Sequence, residues 1–285
     1  MSSVIAITPA RDEEKLLPGL IASMAAHTHP PERWIVIDDG SVDATAKIVD
    51  AAASRYAWIE PHHLPRNRAR AAGGESVVMQ FLPREQWDRC DYFLRLDADI
   101  TFREDFIESL LTEFRRDTKL GVAGPILLES DGAQWREIKV PSFHVRGAAK
   151  MFTAKCFSAI GGQDAGPGFD TIDELHAMML GFRSRHFSRI RAFHHRPQGT
   201  AGSLWRARLA AGRAAYRSGY STLFLMVRAA HHLLTPPRLL GSAMMLAGYF
   251  EGYLRRWQRQ GPPELTRFVR RQQLRRLLML DTVWR

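Results

Sequence analysis

Cysteine is nearly missing from this 285-residue chain: Cys90 and Cys156 are the only two, and their separation matches no ligand spacing. That excludes a disulfide-stapled scaffold and a cysteine-based zinc module. Long apolar runs are missing as well. The most apolar stretch, 223–253, is broken by Arg228, His231, His232, Pro236, Pro237 and Arg238, so it falls short of the roughly 18–20 apolar residues that a spanning helix needs. A pair of helices that rests among lipid headgroups or packs on the main body is expected there instead. The chain has no internal repeat and no low-complexity tract. Its first residues offer neither a basic segment nor a long apolar one, so the expected location is the cytoplasm.

Lysine is absent from residue 203 onward, where fifteen arginines face only Glu251, Glu264 and Asp281, a balance of +12. The first 202 residues hold 25 basic and 27 acidic residues and come to −2, so all of the net charge of +10 belongs to the C-terminal part. Such asymmetry points to a phosphate-bearing partner. Interleaved apolar residues and the lack of any nucleic-acid motif favour an anionic membrane surface over nucleic acid. Arg255-Arg256, Arg270-Arg271 and Arg275-Arg276 flank Leu254, Trp257, Phe268, Val269, Leu274, Leu277 and Leu278, the pattern of basic amphipathic helices. The segment 267–280 is expected to lie on an anionic leaflet, with Trp257 or Trp284 at headgroup level. Two units follow from this division: residues 1–202 and a helical, Arg-rich, membrane-associating region at 203–285.

With 45% hydrophobic residues the chain can bury a substantial core. Two segments are the most informative. Ile35-Val-Ile-Asp-Asp-Gly-Ser41 and Arg95-Leu-Asp-Ala-Asp99 are apolar runs ending in carboxylates, as buried parallel strands do when they deliver acids to the edge of a sheet. Ligands of open α/β sheets bind at that edge. Strands are expected at 4–8, 34–37, 59–62, 92–96, 121–128, 137–140, 182–187 and 189–193. Helices are expected at 12–26, 43–53, 68–81, 103–116, 148–160 and 172–180 and throughout the region after 202. The repeated strand–helix order implies a mostly parallel sheet.

Asp97 and Asp99 are two residues apart, so an extended backbone points both carboxylates to one side. Hard oxygen ligands suit Mg²⁺ or Mn²⁺ shared with a substrate's phosphates, while a solvated strand end or a helix cap would use the same residues. Asp38 and Asp39 precede a tight turn and can accept hydrogen bonds from a base or a ribose; a turn-and-cap cluster accounts for Asp43 but not for two adjacent strand-end acids. Arg66, Arg68 and Arg70 are candidates to neutralise a diphosphate. Asp170, Asp173 and Glu174 follow a glycine-rich loop, 161–168, at the start of a helix, where an ionised carboxylate is stabilised. His62-His63 and His231-His232 read as structural.

Thr8-Pro-Ala-Arg-Asp-Glu-Glu14, Ile37-Asp-Asp-Gly-Ser-Val-Asp43, Asp97-Ala-Asp99 and Gly166-Pro-Gly-Phe-Asp-Thr-Ile-Asp-Glu174 together resemble a family 2 glycosyltransferase over roughly the first 200 residues. The resemblance implies the GT-A fold, a Rossmann-like α/β domain, and transfer of a sugar from a nucleotide diphosphate sugar with inversion. It implies that Pro9, Ala10, Arg11 and Glu13 line the nucleoside with Asp38 and Asp39. It places Asp97 on the ribose or the metal's water, Asp99 on Mn²⁺ or Mg²⁺, and His195 as a further metal ligand. It makes Asp173 the base, with Asp170 and Glu174 as alternatives because the commoner Glu-Asp pair is not matched. Gln272-Gln-Leu-Arg-Arg276 departs from the Gln-x-x-Arg-Trp motif of processive members at its last position, which argues against a polymerase. The expected acceptor is a saccharide or lipid-linked saccharide of surface polysaccharide biosynthesis, at the inner face of the membrane. A nucleotidyltransferase is the alternative enzyme, but 8–11 lacks the glycine its phosphate loop requires. A non-catalytic nucleotide-binding scaffold is the alternative without chemistry.

Overall fold

The computed structural model describes residues 2–66, 81–82, 84–130, 134–162, 169–196, 204–233 and 238–283. The expected helix at 68–81, Arg68, Arg70, most of the loop 161–168, Pro236-Pro237 and Trp284 lie outside the described residues, as does the side chain of Asp170.

In chain order the elements are β1 (Val4–Ala10), α1 (Leu17–Ala25), β2 (Arg33–Asp38), α2 (Thr45–Arg55), β3 (Ile59–His63), β4 (Tyr92–Leu96), β5 (Ile100–Phe102), α3 (Phe106–Arg116) and β6 (Leu120–Ser130). There follow β7 (Trp135–Glu137), β8 (Ala149–Thr153), α4 (Ala154–Ile160), α5 (Phe169–Met179), β9 (Arg183–His194), α6 (Leu204–Arg217), α7 (Thr222–His232), α8 (Arg238–Leu254) and α9 (Pro263–Leu277).

The strands form one sheet in the order β3-β2-β1-β4-β8-β6-β9-β5, with β7 on β6. β1, β2, β3, β4, β6 and β9 run one way and β5, β7 and β8 the other, so the sheet is mostly parallel. Alternation along β1 explains why its sequence is apolar throughout. Val4 and Ala6 join Trp34, Val36, Leu94 and Leu96 on the face covered by α1 and α3. Ile5 and Ile7 join Ile35, Ile37 and Phe93 on the other face, against Trp87, Phe157 and Ile160. A strand covered on both faces has no polar side to show.

The expected helix at 148–160 is corrected: 149–153 is β8, inserted antiparallel between β4 and β6, and the helix begins at Ala154 with Thr153 Oγ1 accepting the Cys156 N–H at 3.1 Å. Short apolar runs fit either period, and here pairing on both edges of β8 decides. The two strands expected at 182–187 and 189–193 are one, β9, whose register against β6 shifts after Phe187. The strand expected at 137–140 is Trp135–Glu137. α1 starts at Leu17 rather than at residue 12, because Pro18 sets the first turn and Asp12 adopts φ 55° in the loop before it.

The C-terminal helices build a core of their own from Ala215, Tyr216, Leu225, Ala229, Met245 and Tyr249. α6 and α8 approach until their backbones touch: a Cβ at Gly212 would collide with the Met245 carbonyl, and one at Gly248 with the Leu209 carbonyl. α9 buries Leu265 and Val269 against Ile172 and Leu175 of α5, joining the helical region to the sheet domain. That contact takes up Val269 of the segment expected to lie on a leaflet, while Leu274, Leu278, Met279 and Leu280 of the same segment stay exposed. No helix among the described residues is long and apolar enough to cross a membrane.

Candidate active site

The carboxyl ends of β1, β2 and β4 meet at one edge of the sheet, and each brings its acids there. Pro9 and Ala10 stand in register with Ile37 and Asp38, and the Asp39 N–H extends the pairing to the Ala10 carbonyl at 2.9 Å. Asp38 and Asp39 are both 4% exposed. Asp38 Oδ1 accepts the Ser41 N–H at 2.9 Å, and its Oδ2 lies 3.2 Å from His63 Nδ1. Asp38 therefore anchors the turn. Asp39 meets Arg11 at 3.2 Å, so Arg11 pairs across the site and not with Asp12 or Glu13 on the surface. Gly40, at φ 71°, sits against the Arg66 backbone where a Cβ would collide, and Arg66 reaches Asp12 at 3.1 Å.

Glu13 is nearly buried and forms a two-pronged pair with Arg196, at 2.8 and 2.6 Å. Burial raises its pKa, and the guanidinium opposes that rise. The bond ties the loop after β1 to the chain leaving β9, and the two walls enclose a cavity of about 400 Å³ lined by Asp12, Glu13, Glu14, Asp43 and Arg196. A larger cavity, about 710 Å³, opens near the start of β6 and β9, among Arg116, Ser142, Phe143 and Arg183. The strand-end acids do not line it.

Asp97 keeps its side chain 31% exposed, with Oδ1 3.5 Å from Arg95. Asp99 is 8% exposed, and its buried Oδ1 has no hydrogen-bond donor among the described residues. The nearest charge is His194 Nε2 at 3.4 Å, an ion-pair contact without hydrogen-bond geometry. His194 Nδ1 in turn faces Glu129 at 3.2 Å, and Glu129 takes Arg146 at 2.8 Å. Burial alone would lower the His194 pKa, but Asp99 and Glu129 outweigh it and the net shift is upward. The structure thus brings the imidazole of His194, not that of His195, to the Asp99 carboxylate, while the His195 N–H donates to the Asp99 carbonyl at 3.0 Å. His195 is exposed, with Nε2 2.7 Å from Thr101 Oγ1 and its ring edge-on to Trp135. Alternation along β9 separates the two histidines.

No three His, Cys, Asp or Glu side chains among the described residues converge as a ready-made metal cluster. The donor set present is two carboxylates with an imidazole behind one of them, and the orphaned Asp99 oxygen is the feature that suits a hard divalent cation whose coordination a substrate phosphate completes.

Asp173 and Glu174 are both buried on α5, in different company. Glu174 accepts the Val145 N–H at 2.7 Å and meets Lys150 Nζ at 2.9 Å and His144 Nδ1 at 2.8 Å. Lys150 and Glu174 are sealed at 0% exposure. Asp173 adds its charge to the environment of Cys156, whose thiol is pushed up to about 12, mainly by burial. Sequence reasoning takes His63 as structural and does not single out Lys150 or His144. His63 had a signal, since β3 pairs in register with β2 and sets His63 beside Asp38. Lys150 and His144 had none while β8 was read as helix.

Residues 5–155, just over half of the chain, match the model of glycosyl transferase family 2. Among solved structures, TarS 1-349 from S. aureus in complex with UDP-GlcNAc is similar at 14% identity and a TM-score of 0.57, over 89% of this chain and 73% of that one. The mannosyltransferase PcManGT from Pyrobaculum calidifontis, in complex with GDP-Man and Mn²⁺, is similar at 13% identity and a TM-score of 0.58, over 94% of this chain and 78% of that one. At such identities the likeness shows the fold alone. No curated protein matches the sequence.

Proposed function

The chain belongs to glycosyl transferase family 2 and is a glycosyltransferase of GT-A fold, and on that premise we propose that it moves one sugar from a nucleotide diphosphate donor, with inversion, to a hydroxyl of a lipid-linked saccharide. The reading rests above all on one observation: Asp97 and Asp99, just after β4, stand at the same sheet edge as Asp38 and Asp39, with a buried Asp99 oxygen that, among the described residues, meets only His194, at 3.4 Å and without hydrogen-bond geometry. The complexes of the similar structures, UDP-GlcNAc in one and GDP-Man with Mn²⁺ in the other, support it.

In this reading Asp39 and the loop from Pro9 to Glu13 hold the nucleoside, Arg11 fixes the Asp39 rotamer, and Arg196 fixes Glu13. Arg70 neutralises diphosphate charge. Asp97 and Asp99 hold Mn²⁺ or Mg²⁺, with His194 behind Asp99 oriented by Glu129. The cation supplies charge stabilisation for the departing diphosphate. Asp173 takes the proton of the acceptor hydroxyl as its oxygen bonds to the anomeric carbon, and the nucleoside diphosphate leaves with the electron pair of the broken bond. The acidic donor site and the cationic C-terminal part together suit an acceptor presented at the inner face of the cell membrane, in surface polysaccharide biosynthesis.

The test is a panel of nucleotide sugars in thermal-shift and turnover assays, with Mn²⁺, Mg²⁺ or EDTA, on wild type and Asp99→Asn. One donor should stabilise the wild type only with metal, and the variant should lose about 10²-fold or more in turnover. A folded protein that binds no donor under any of these conditions would return the chain to the scaffold reading.

A further inference from the structure

Large apolar side chains that the fold leaves in solvent are concentrated in one place. Of the seventeen exposed large hydrophobics among the described residues, all but Val42, Trp135 and Leu180 lie between residues 205 and 280. Their arrangement is regular on α7 and α8. Along α8, Leu239, Ala243, Ala247, Phe250 and Leu254 are exposed at intervals of three and four residues, which puts them on one helical face. Along α7, Leu223, Met226, Val227 and Ala230 repeat the pattern, while Leu225 and Ala229 on the opposite side fill the core shared with Met245 and Tyr249. Leu239 is 77% exposed and Leu254 85%. A stripe of this kind on a water-facing helix calls for a cover.

We propose that the α7–α8 hairpin beds its exposed apolar face into the headgroup boundary of an anionic bilayer and so holds the enzyme at the surface where its acceptor lies. The inference rests on the reading of a membrane-borne acceptor, and of the two stretches the sequence offered for such a contact, 223–253 and 267–280, it selects the first. α9 spends Leu265 and Val269 on α5, and its exposed apolar side chains, Leu274, Leu278, Met279 and Leu280, gather at and beyond its C-terminal end instead of running along a face. Charge selects lipid over a second copy of the chain. α7 contains no acid, and Glu251, the single acid of α8, is held by Arg213 at 2.7 Å and Arg255 at 2.9 Å. Arg228, Arg255 and Arg256 are exposed around the stripe. In a two-fold dimer these cations would confront each other with no acid left to meet them, whereas anionic headgroups satisfy them. α8 spans 17 residues, short of the roughly 20 that cross a bilayer, so it lies in the boundary and does not traverse it. Because the Ser221 N–H at the start of α7 donates to Gln273 of α9 at 2.7 Å, and α9 packs on α5, the hairpin is linked through α9 to the helix that carries Asp173.

The test is co-sedimentation of the full chain with vesicles of phosphatidylcholine alone or with phosphatidylglycerol. Wild type, the triple variant Val227→Glu, Leu239→Glu, Leu254→Glu, and the pair Arg271→Glu, Arg276→Glu on α9 are compared. We expect binding to the anionic vesicles, at least a tenfold loss in the triple variant with an unchanged melting temperature, and less than a twofold loss in the α9 pair. As a readout independent of that variant's folding, Leu254→Cys carrying an environment-sensitive fluorophore should shift to the blue on adding anionic vesicles; both native cysteines are buried. Wild-type binding by the triple variant, abolition by the α9 pair alone, an unshifted fluorophore, or a wild-type dimer that the triple variant dissolves while neither binds vesicles would each overturn the proposal. Donor-induced stabilisation is read in parallel, so loss of the transferase reading and loss of the hairpin contact are separate results.

Discussion

Asp173 and Glu174 are neighbours in sequence and both buried, and substitution separates their roles. Glu174→Gln removes the charge opposite Lys150 in a sealed interior, which costs about 3–5 kcal/mol by the usual penalty for a broken buried pair. A urea denaturation midpoint should fall accordingly. Asp173→Asn should lower kcat by about 10² to 10⁴-fold, the range for loss of a general base, under conditions where the variant is folded. The reverse pattern would make Glu174 the base. His27 offers a second residue-level test. It packs against Phe102 and Phe106, and burial lowers its pKa below the ordinary 6.5. In the window below 6.5 the unfolded chain binds a proton that the folded chain refuses, so stability falls as pH falls. His27→Leu should flatten that part of the fall between about pH 7 and about pH 5 in thermal melts. The groups with raised pKa, His63 and His194, act in the opposite direction, so the comparison with the variant is the measurement.

Among the elements, those whose pattern is local could be read from sequence, and those that depend on partners could not. β1, β2 and β4 announce themselves by apolar runs ending in Asp38-Asp39 and Asp97, and the strand-end acids are where that reading put them. β8 has no such mark: Ala149–Thr153 becomes a strand because β4 and β6 flank it, and with it went Lys150 and its contact to Glu174. The choice between His194 and His195 depended on the parity of β9, which a register shift after Phe187 hides from any count along the sequence. The packing of α6 on α8 was equally silent, since glycine within a helix is usually only a cost. Gly248→Ala inserts a methyl into the Leu209 carbonyl and should destabilise the chain by about 1–3 kcal/mol in chemical denaturation, the range for overpacking. Substitution at Gly161, whose surroundings are open, meets no such contact, although its φ of 83° carries its own strain.

For the molecule as a whole, charge and apolar exposure are segregated together into the C-terminal part. If arginine alone drew the chain to vesicles, raising salt would abolish binding, because the screening length shrinks from about 10 Å at 0.1 M to about 3 Å at 1 M. With Leu239, Phe250 and Leu254 in the boundary, high salt should weaken vesicle binding and leave a residue that sedimentation still detects.

The pairing of β5 with β9 has a further consequence, for the birth of the protein. Ile100 pairs with His194, and Glu13 with Arg196, so the proposed donor site is closed by contacts 94 and 183 residues apart in sequence. Such distant closures are slow to form and come late. On the ribosome, a nascent chain that has exposed both Asp97 and Asp99 still lacks the histidine behind Asp99 and the arginine on Glu13, so it has the acids without the enclosure. Competence to hold a donor is therefore acquired in one step, after β9 has emerged, and not gradually as the acids appear.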